Sequence, residues 1–140
     1  MLRKVTFAMG LFGVVVVALG WIPGISPHQG HERMMFNAFA ISAVDDITHG
    51  LTALAAFAAA FHSDRASRLF LVTFGSYYAL DATFYLLNGF VNDLRWTADI
   101  MLNIPHVVVS SVMLVVAYGY RPDPSPTSIA EPARRDFARA

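Results

Sequence analysis

Two pairs of polar residues interrupt apolar stretches of this sequence with the same spacing. Asp46 precedes His49 by three positions, and Asn103 precedes His106 by three positions. Residues three apart lie on one face of a helix, so each pair would present its side chains to a common neighbour. An imidazole beside a carboxylate can exchange a proton near neutral pH, and imidazole nitrogen is also a common metal ligand. The pattern therefore indicates proton or cation handling, or metal binding.

A third apolar stretch contributes Asp81, with Tyr78 on the same predicted helix face. Counted from the polar end of each predicted helix at about 1.5 Å per residue, His49, Asp81 and His106 all lie roughly 20 Å deep. Residues at one depth on neighbouring helices can meet inside a bundle. We therefore predict one polar cluster, formed by Asp46, His49, Asp81, Asn103 and His106.

This polar cluster has three interpretations. The first is an interhelical hydrogen-bond network that fixes the helix register, which is common in membrane bundles. The second is proton or cation exchange between the carboxylates and the imidazoles. The third is a cofactor site in which His49 and His106 bind a haem iron, or bind a metal ion together with Asp46 and Asp81. In that third case the carboxylates also suit the role of acceptors that orient the imidazole rings.

No signature of an enzyme accompanies the cluster, and no catalytic residue is predicted. The sequence has no phosphate-binding loop, nucleophile triad or cofactor fingerprint. It has no cysteine, which excludes thiolate metal sites and iron–sulfur clusters. A formal net charge of zero, without a basic face, argues against nucleic acid as a partner. We expect a non-enzymatic membrane subunit or partner protein whose partners are lipid, other membrane chains or a second copy.

Four apolar stretches must position the cluster, and each is close to the ~20 residues that cross a bilayer. They span residues 5–22, 42–61, 69–90 and 100–118. The chain is 56% hydrophobic and 14% charged, which favours lipid over water as its medium. We predict an all-α membrane protein, with a bundle of four transmembrane helices over residues 1–120. The matching spacing of the two polar pairs suggests two repeated helical hairpins.

Basic residues are unevenly distributed between the two sides of the predicted bundle. The two loops on one side carry Arg33 and Arg95, whereas the N-terminal segment, the 63–68 turn and the C-terminal segment carry eight Lys and Arg. Because loops on the cytoplasmic side are enriched in Lys and Arg, we predict a multi-pass protein with both termini in the cytoplasm. The alternative for the first stretch is a signal peptide, although Trp21 and Pro23 stand where a small-residue cleavage site is expected.

Local signals make three further predictions. Ser42 and Asp45 are spaced as a capping box at the start of the second helix. The segment 23–41 begins with turn residues and then becomes too apolar for a simple loop, so we expect a short interfacial helix or an extension of the second helix. Residues 121–140 are rich in proline and polar residues, which predicts a flexible cytoplasmic tail.

The chain resembles a family of small bacterial four-helix membrane proteins, widespread in actinobacteria, that is known only as a domain of unknown function. The resemblance covers roughly residues 5–120. It depends on the sequences Gly-Trp-Ile-Pro-Gly at 20–24, Asp-Ile-Thr-His-Gly-Leu at 46–51, and Ala98-Asp99 leading to Asn103 and His106. The resemblance implies a four-helix fold in a bacterial inner membrane and a pair of intramembrane histidines. It implies no particular activity.

Overall fold

The computed structural model describes residues 1–30, 32–92 and 96–120, with side chains described at these positions except within 89–102. Within these residues the chain forms four helices and three short strands. The helices are α1 (Leu2–Gly20), α2 (Ala43–His62), α3 (Asp64–Asn92) and α4 (Trp96–Gly119). The strands are β1 (His28–Gln29), β2 (Glu32–Met35) and β3 (Phe39–Ile41). The predicted four-helix architecture is confirmed, whereas the predicted tail at 121–140 lies outside the described residues.

Only part of the predicted membrane character follows from helix length and composition. Among the described residues one helix, α1, is long and apolar enough to cross a bilayer, with a mean hydropathy of 1.9. A signal sequence near the N-terminus would pass the same test. In α4 the described residues include a shorter apolar segment, Asn103–Gly119. Of the four predicted crossings, one therefore passes this test within the part of the chain that the structure describes.

The segment between α1 and α2 forms a three-stranded antiparallel sheet in the order β1-β2-β3. Arg33 pairs with His28 on one side and with Ile41 on the other. The expectation of a short helix in this segment is wrong. Gly30, Phe36 and Asn37 adopt positive φ angles of 67°, 55° and 55°. A right-handed helix cannot continue through such angles, so the chain turns twice and pairs with itself.

The helices pack as two close pairs, α1 against α2 and α3 against α4. Glycine permits the approach in both pairs. A Cβ added at Gly13 would lie 3.1 Å from the Ala53 Cβ and 3.2 Å from the His49 carbonyl oxygen, and one at Gly75 would lie 3.0 Å from the Met113 Cβ. The second helix therefore lies close against the first along the turn that carries His49.

Helix α2 begins where the sequence predicts. The Ser42 hydroxyl accepts a hydrogen bond from the Asp45 backbone N–H, and the Asp45 carboxylate accepts one from the Ser42 backbone N–H at 2.8 Å. The predicted capping box is confirmed. It satisfies two backbone donors that the helix itself leaves unpaired. This start fixes the position of His49, which follows Asp45 by one helical turn.

Candidate functional site

The ring of His49 is held by the backbone of its own helix. Its Nδ1 lies 2.7 Å from the Asp45 carbonyl oxygen, four residues earlier. A carbonyl oxygen only accepts hydrogen bonds, so Nδ1 is the atom that carries the proton. In the neutral ring, Nε2 then carries an unshared electron pair. His49 can accept a proton or bind a metal ion at Nε2 without losing this hydrogen bond.

On α4, the ring of His106 lies beside a carboxylate from α3. Its Nδ1 lies 3.2 Å from Asp81 Oδ2, although the angle between the two groups lies outside hydrogen-bond geometry. Both side chains are partly buried, with exposed fractions of 29% for His106 and 27% for Asp81. A carboxylate at this distance favours the proton on Nδ1.

Tyr78 connects the three helices that surround the histidines. Its ring centre lies 5.1 Å from that of His106, and its hydroxyl donates a hydrogen bond of 3.3 Å to the Thr52 hydroxyl on α2. Tyr78 is buried. The contact with Thr52 was not predicted, although Thr52 follows His49 by three residues and therefore shares its helix face.

The two histidine rings face each other across the bundle. Their centres are 6.4 Å apart, and their planes are inclined by 37°. The structure thus brings together His49, Asp81 and His106 of the predicted cluster. Asn103 is buried on α4, one turn before His106. The side chain of Asp99 lies outside those that the structure describes.

Asp46 takes a different partner from the predicted one. Its carboxylate accepts a hydrogen bond from the guanidinium of Arg33 on β2, and the two form an ion pair. The same guanidinium donates a bond of 2.7 Å to the Gly20 carbonyl oxygen and lies 4.4 Å above the Trp21 ring. We call Arg33, Asp46, Gly20 and Trp21 the arginine clamp. These contacts connect the small sheet to the C-terminal end of α1 and to the first turn of α2.

Sequence reasoning missed the clamp because it counted Arg33 only as a loop charge. The residue is 7% exposed, which is rare for arginine unless a carboxylate balances its charge. One signal was available in the sequence. Asp45 and Asp46 are adjacent, and the capping box uses only Asp45, so a second buried carboxylate needed a cationic partner.

The described side chains do not form a metal site with three protein ligands. Among them, no group of three or more His, Asp or Glu residues is close enough to hold a metal ion. The predicted set of His49, His106, Asp46 and Asp81 is therefore not assembled, because Asp46 is turned to Arg33 and Asp81 contacts the ring of His106. The geometry offers two imidazoles whose ring centres lie 6.4 Å apart.

Comparison of the chain with protein-family models, with curated proteins and with solved structures found no match.

Proposed function

We propose that the chain is an integral membrane protein of the bacterial inner membrane, a non-enzymatic subunit or partner of other membrane chains. The observation that carries the proposal is the distribution of residue sizes. Large apolar side chains cover the outside of the helices, whereas the interior contains many small and weakly polar residues. Large apolar side chains such as Phe70 and Leu71 also lie inside, but more of those described face outward.

Individual exposures show the contrast. Leu54, Leu80 and Val115 are 66%, 71% and 70% exposed. Thr6 and Ser67, in contrast, are completely buried. In water a continuous surface of exposed leucine, valine and phenylalanine would lead to association. In lipid, exposure of these apolar side chains has no free-energy cost. Small residues between the helices allow the close contacts that drive helix association.

The outer surface also contains a groove that suits lipid. Val14, Leu51 and Phe57 line an open groove of about 520 Å³ between α1 and α2, whose surface is almost entirely apolar. A polar solvent gains little in such a groove, whereas acyl chains or apolar side chains of another protein fill it at no cost in hydrogen bonds. Lipid and neighbouring membrane chains are therefore the proposed partners.

The proposed topology has two helical hairpins with both termini in the cytoplasm. The close packing of α1 with α2 and of α3 with α4 agrees with two hairpins. The bias of Lys and Arg supports the orientation. In this proposal the contacts among His49, Asp81, His106 and Tyr78 hold the two hairpins in register.

Cysteine labelling in intact cells tests the membrane proposal, because the chain has no cysteine of its own. We expect Gly24→Cys, in the turn after α1, to react with a membrane-impermeant maleimide added outside. Arg65→Cys, in the first turn of α3, should react only after the cells are broken. Leu54→Cys, on the apolar face, should stay unreactive until detergent is added. Equal labelling of Gly24→Cys and Arg65→Cys, or a protein that leaves the membrane on alkaline washing, would contradict the proposal.

Purification in mild detergent tests the role as a subunit. We expect a homo-oligomer or a co-purifying membrane chain, and a loss of thermal stability in the variant that combines His49→Ala with His106→Ala. A strict monomer with no partner and unchanged stability in that variant would count against the role.

Proton handling is the second candidate, and the contact between Asp81 and His106 favours it. A carboxylate within 3.2 Å of an imidazole, with a second imidazole nearby, can pass a proton between groups of different helices. Flux of protons into proteoliposomes should then fall in Asp81→Asn. His62→Gln, at the other end of α2, is the matched control. Flux that is identical in wild type and Asp81→Asn removes this candidate.

A further inference from the structure

The apolar groove between α1 and α2 has one open end and one closed end. It is lined by Val14, Val17 and Ala18 of α1 and by residues of α2 from Ile47 to Phe57, none of them polar. We propose that this groove binds a single acyl chain of a lipid from the outer leaflet, with the end of the chain against Phe57. The proposal rests on the membrane location and topology proposed above, and it names the lipid contact within them.

The groove is about as long as one leaflet is deep. From Ile47 to Phe57 the helix rises by about 15 Å, at about 1.5 Å per residue. The hydrocarbon core of a bilayer is about 30 Å thick, so one leaflet accounts for about 15 Å. A transmembrane helix of another chain would follow α1 and α2 through both leaflets. The length of the groove therefore favours an acyl chain over a helix.

The ring of Phe57 closes the inner end of the groove. It lies against α1 at Gly10, where an added Cβ would come within 2.8 Å of the ring. The Phe7 ring packs against it, with ring centres 5.2 Å apart. Gly10 is close to the middle of α1, which extends from Leu2 to Gly20. In a helix that crosses the bilayer this position is near the midplane, where the acyl chains of one leaflet end.

The outer end of the groove opens beside an exposed tryptophan. Ala18 lines this end, and Trp21 follows it by less than one helical turn. Trp21 is 66% exposed, and tryptophan is enriched at the level of the lipid head groups. Arg33, which lies over the Trp21 ring, is buried and paired with Asp46, so it is not free to bind a phosphate. We therefore expect the groove to select the acyl chain and not the head group.

Inside the groove, the protein leaves space that its own side chains do not fill. A Cβ added at Gly50 would meet nothing within 4 Å. The groove has a volume of about 520 Å³, within the range of roughly 300–1,000 Å³ that is typical of small-molecule sites. Atoms of the walls that face empty space lose dispersion contacts, and water would find no hydrogen-bond partner there. A flexible chain of methylenes can follow the walls and restore these contacts.

Photo-crosslinking in lipid vesicles tests the proposal on the wild-type protein. The probe is phosphatidylglycerol with a diazirine near the end of one acyl chain, and mass spectrometry locates the adducts. We expect adducts at Leu51 and Leu54 to be at least about five times as frequent as at Leu80. Leu80 is the matched control, because it is 71% exposed on α3, away from the groove. Phosphatidylcholine with the same chain should give the same pattern, since the groove lining carries no charge.

Substitution of Gly50 by leucine fills the groove. Gly50→Leu should remain folded, because the space around Gly50 is open and leucine favours a helix more than glycine does. We expect the adducts at Leu54 to fall to the frequency seen at Leu80. Gly119→Leu is the control, because it makes the same substitution at a glycine of α4 that is also surrounded by open space, and it should leave the adducts unchanged. Thermal unfolding in detergent should show that both variants are as stable as the wild type.

Two results would overturn the proposal. The first is equal adduct frequency at Leu54 and Leu80 in the wild type, or adducts at Leu54 that persist in Gly50→Leu. The second is loss of an oligomer or of a co-purifying chain in Gly50→Leu, because a helix would then be the occupant of the groove. Labelling of Gly24→Cys and Arg65→Cys reports on topology without involving the groove. Failure of the membrane proposal is therefore distinguishable from failure of the lipid site.

Discussion

Replacement of Arg33 by alanine tests the arginine clamp. The side chains of Arg33 and Asp46 are 8% and 12% exposed, so solvent screens their ion pair only weakly. Removal of one partner of a buried pair leaves an uncompensated charge, which typically costs 3–5 kcal/mol. Arg33→Ala also removes the donor to the Gly20 carbonyl oxygen and the contact with the Trp21 ring. We therefore expect a loss of about 4 kcal/mol in the free energy of unfolding.

The assay is unfolding of the protein in mild detergent by denaturant, followed by circular dichroism. Asp46→Leu should also be destabilised, because it leaves the buried charge of Arg33 without a carboxylate to balance it. The combined variant, Arg33→Met with Asp46→Leu, should recover most of the loss, since apolar residues of similar volume often replace a buried pair at little cost. Arg68→Ala, an exposed arginine of α3, should change stability by less than about 0.5 kcal/mol. A loss below about 1 kcal/mol in Arg33→Ala, or a combined variant no more stable than Asp46→Leu alone, would refute the reasoning.

Three further substitutions test features of the helices. Gly13→Val should destabilise the protein by about 1–3 kcal/mol, because the contact of α1 with α2 leaves no room for a side chain there. Gly50→Val is the control, because open space surrounds Gly50, and it should not destabilise the protein. Equal thermal stabilities of the two variants would contradict this packing. Ser42→Ala should cost about 1 kcal/mol in unfolding experiments by removing the N-cap of α2, and a neutral result would contradict the capping role. Tyr78→Phe should cost about 1 kcal/mol because the Thr52 hydroxyl loses its donor, and unchanged stability in the same assay would show that the bond contributes nothing.

The parts of the fold that the sequence predicts are those set by neighbouring residues. Long apolar runs separated by turns locate the four helices, and the spacing of Ser42 and Asp45 locates the start of α2 within a residue. Helices form from contacts three and four residues apart, so the information is local. The sheet of residues 28–41 is different, because its strands have two to four residues and show no period that a sequence pattern could reveal.

In the site, too, the contacts that follow from spacing along each helix are predictable, and those that depend on the sheet are not. Equal depth on three helices predicts that His49, Asp81 and His106 are neighbours, and the structure places them together. The partner of Asp46 depends on a chain reversal in the sheet, which brings Arg33 back over α2 from thirteen residues earlier. No local rule predicts that reversal. Tertiary structure therefore decides whether Asp46 pairs with Arg33 or with the histidines.

The small residues inside the bundle have a consequence for the entropy of folding. Ala53, Ala56 and Ala60 form the buried face of α2, with exposures of 2%, 0% and 4%. Alanine has no rotamers to lose on burial, whereas each buried leucine loses about 0.5–1 kcal/mol. Three alanines in place of leucines therefore avoid a cost of about 1.5–3 kcal/mol. The leucines stay outside, at positions 51 and 54, where their side chains keep their freedom. Helices α1 and α2 thus pack closely with little loss of side-chain conformational entropy.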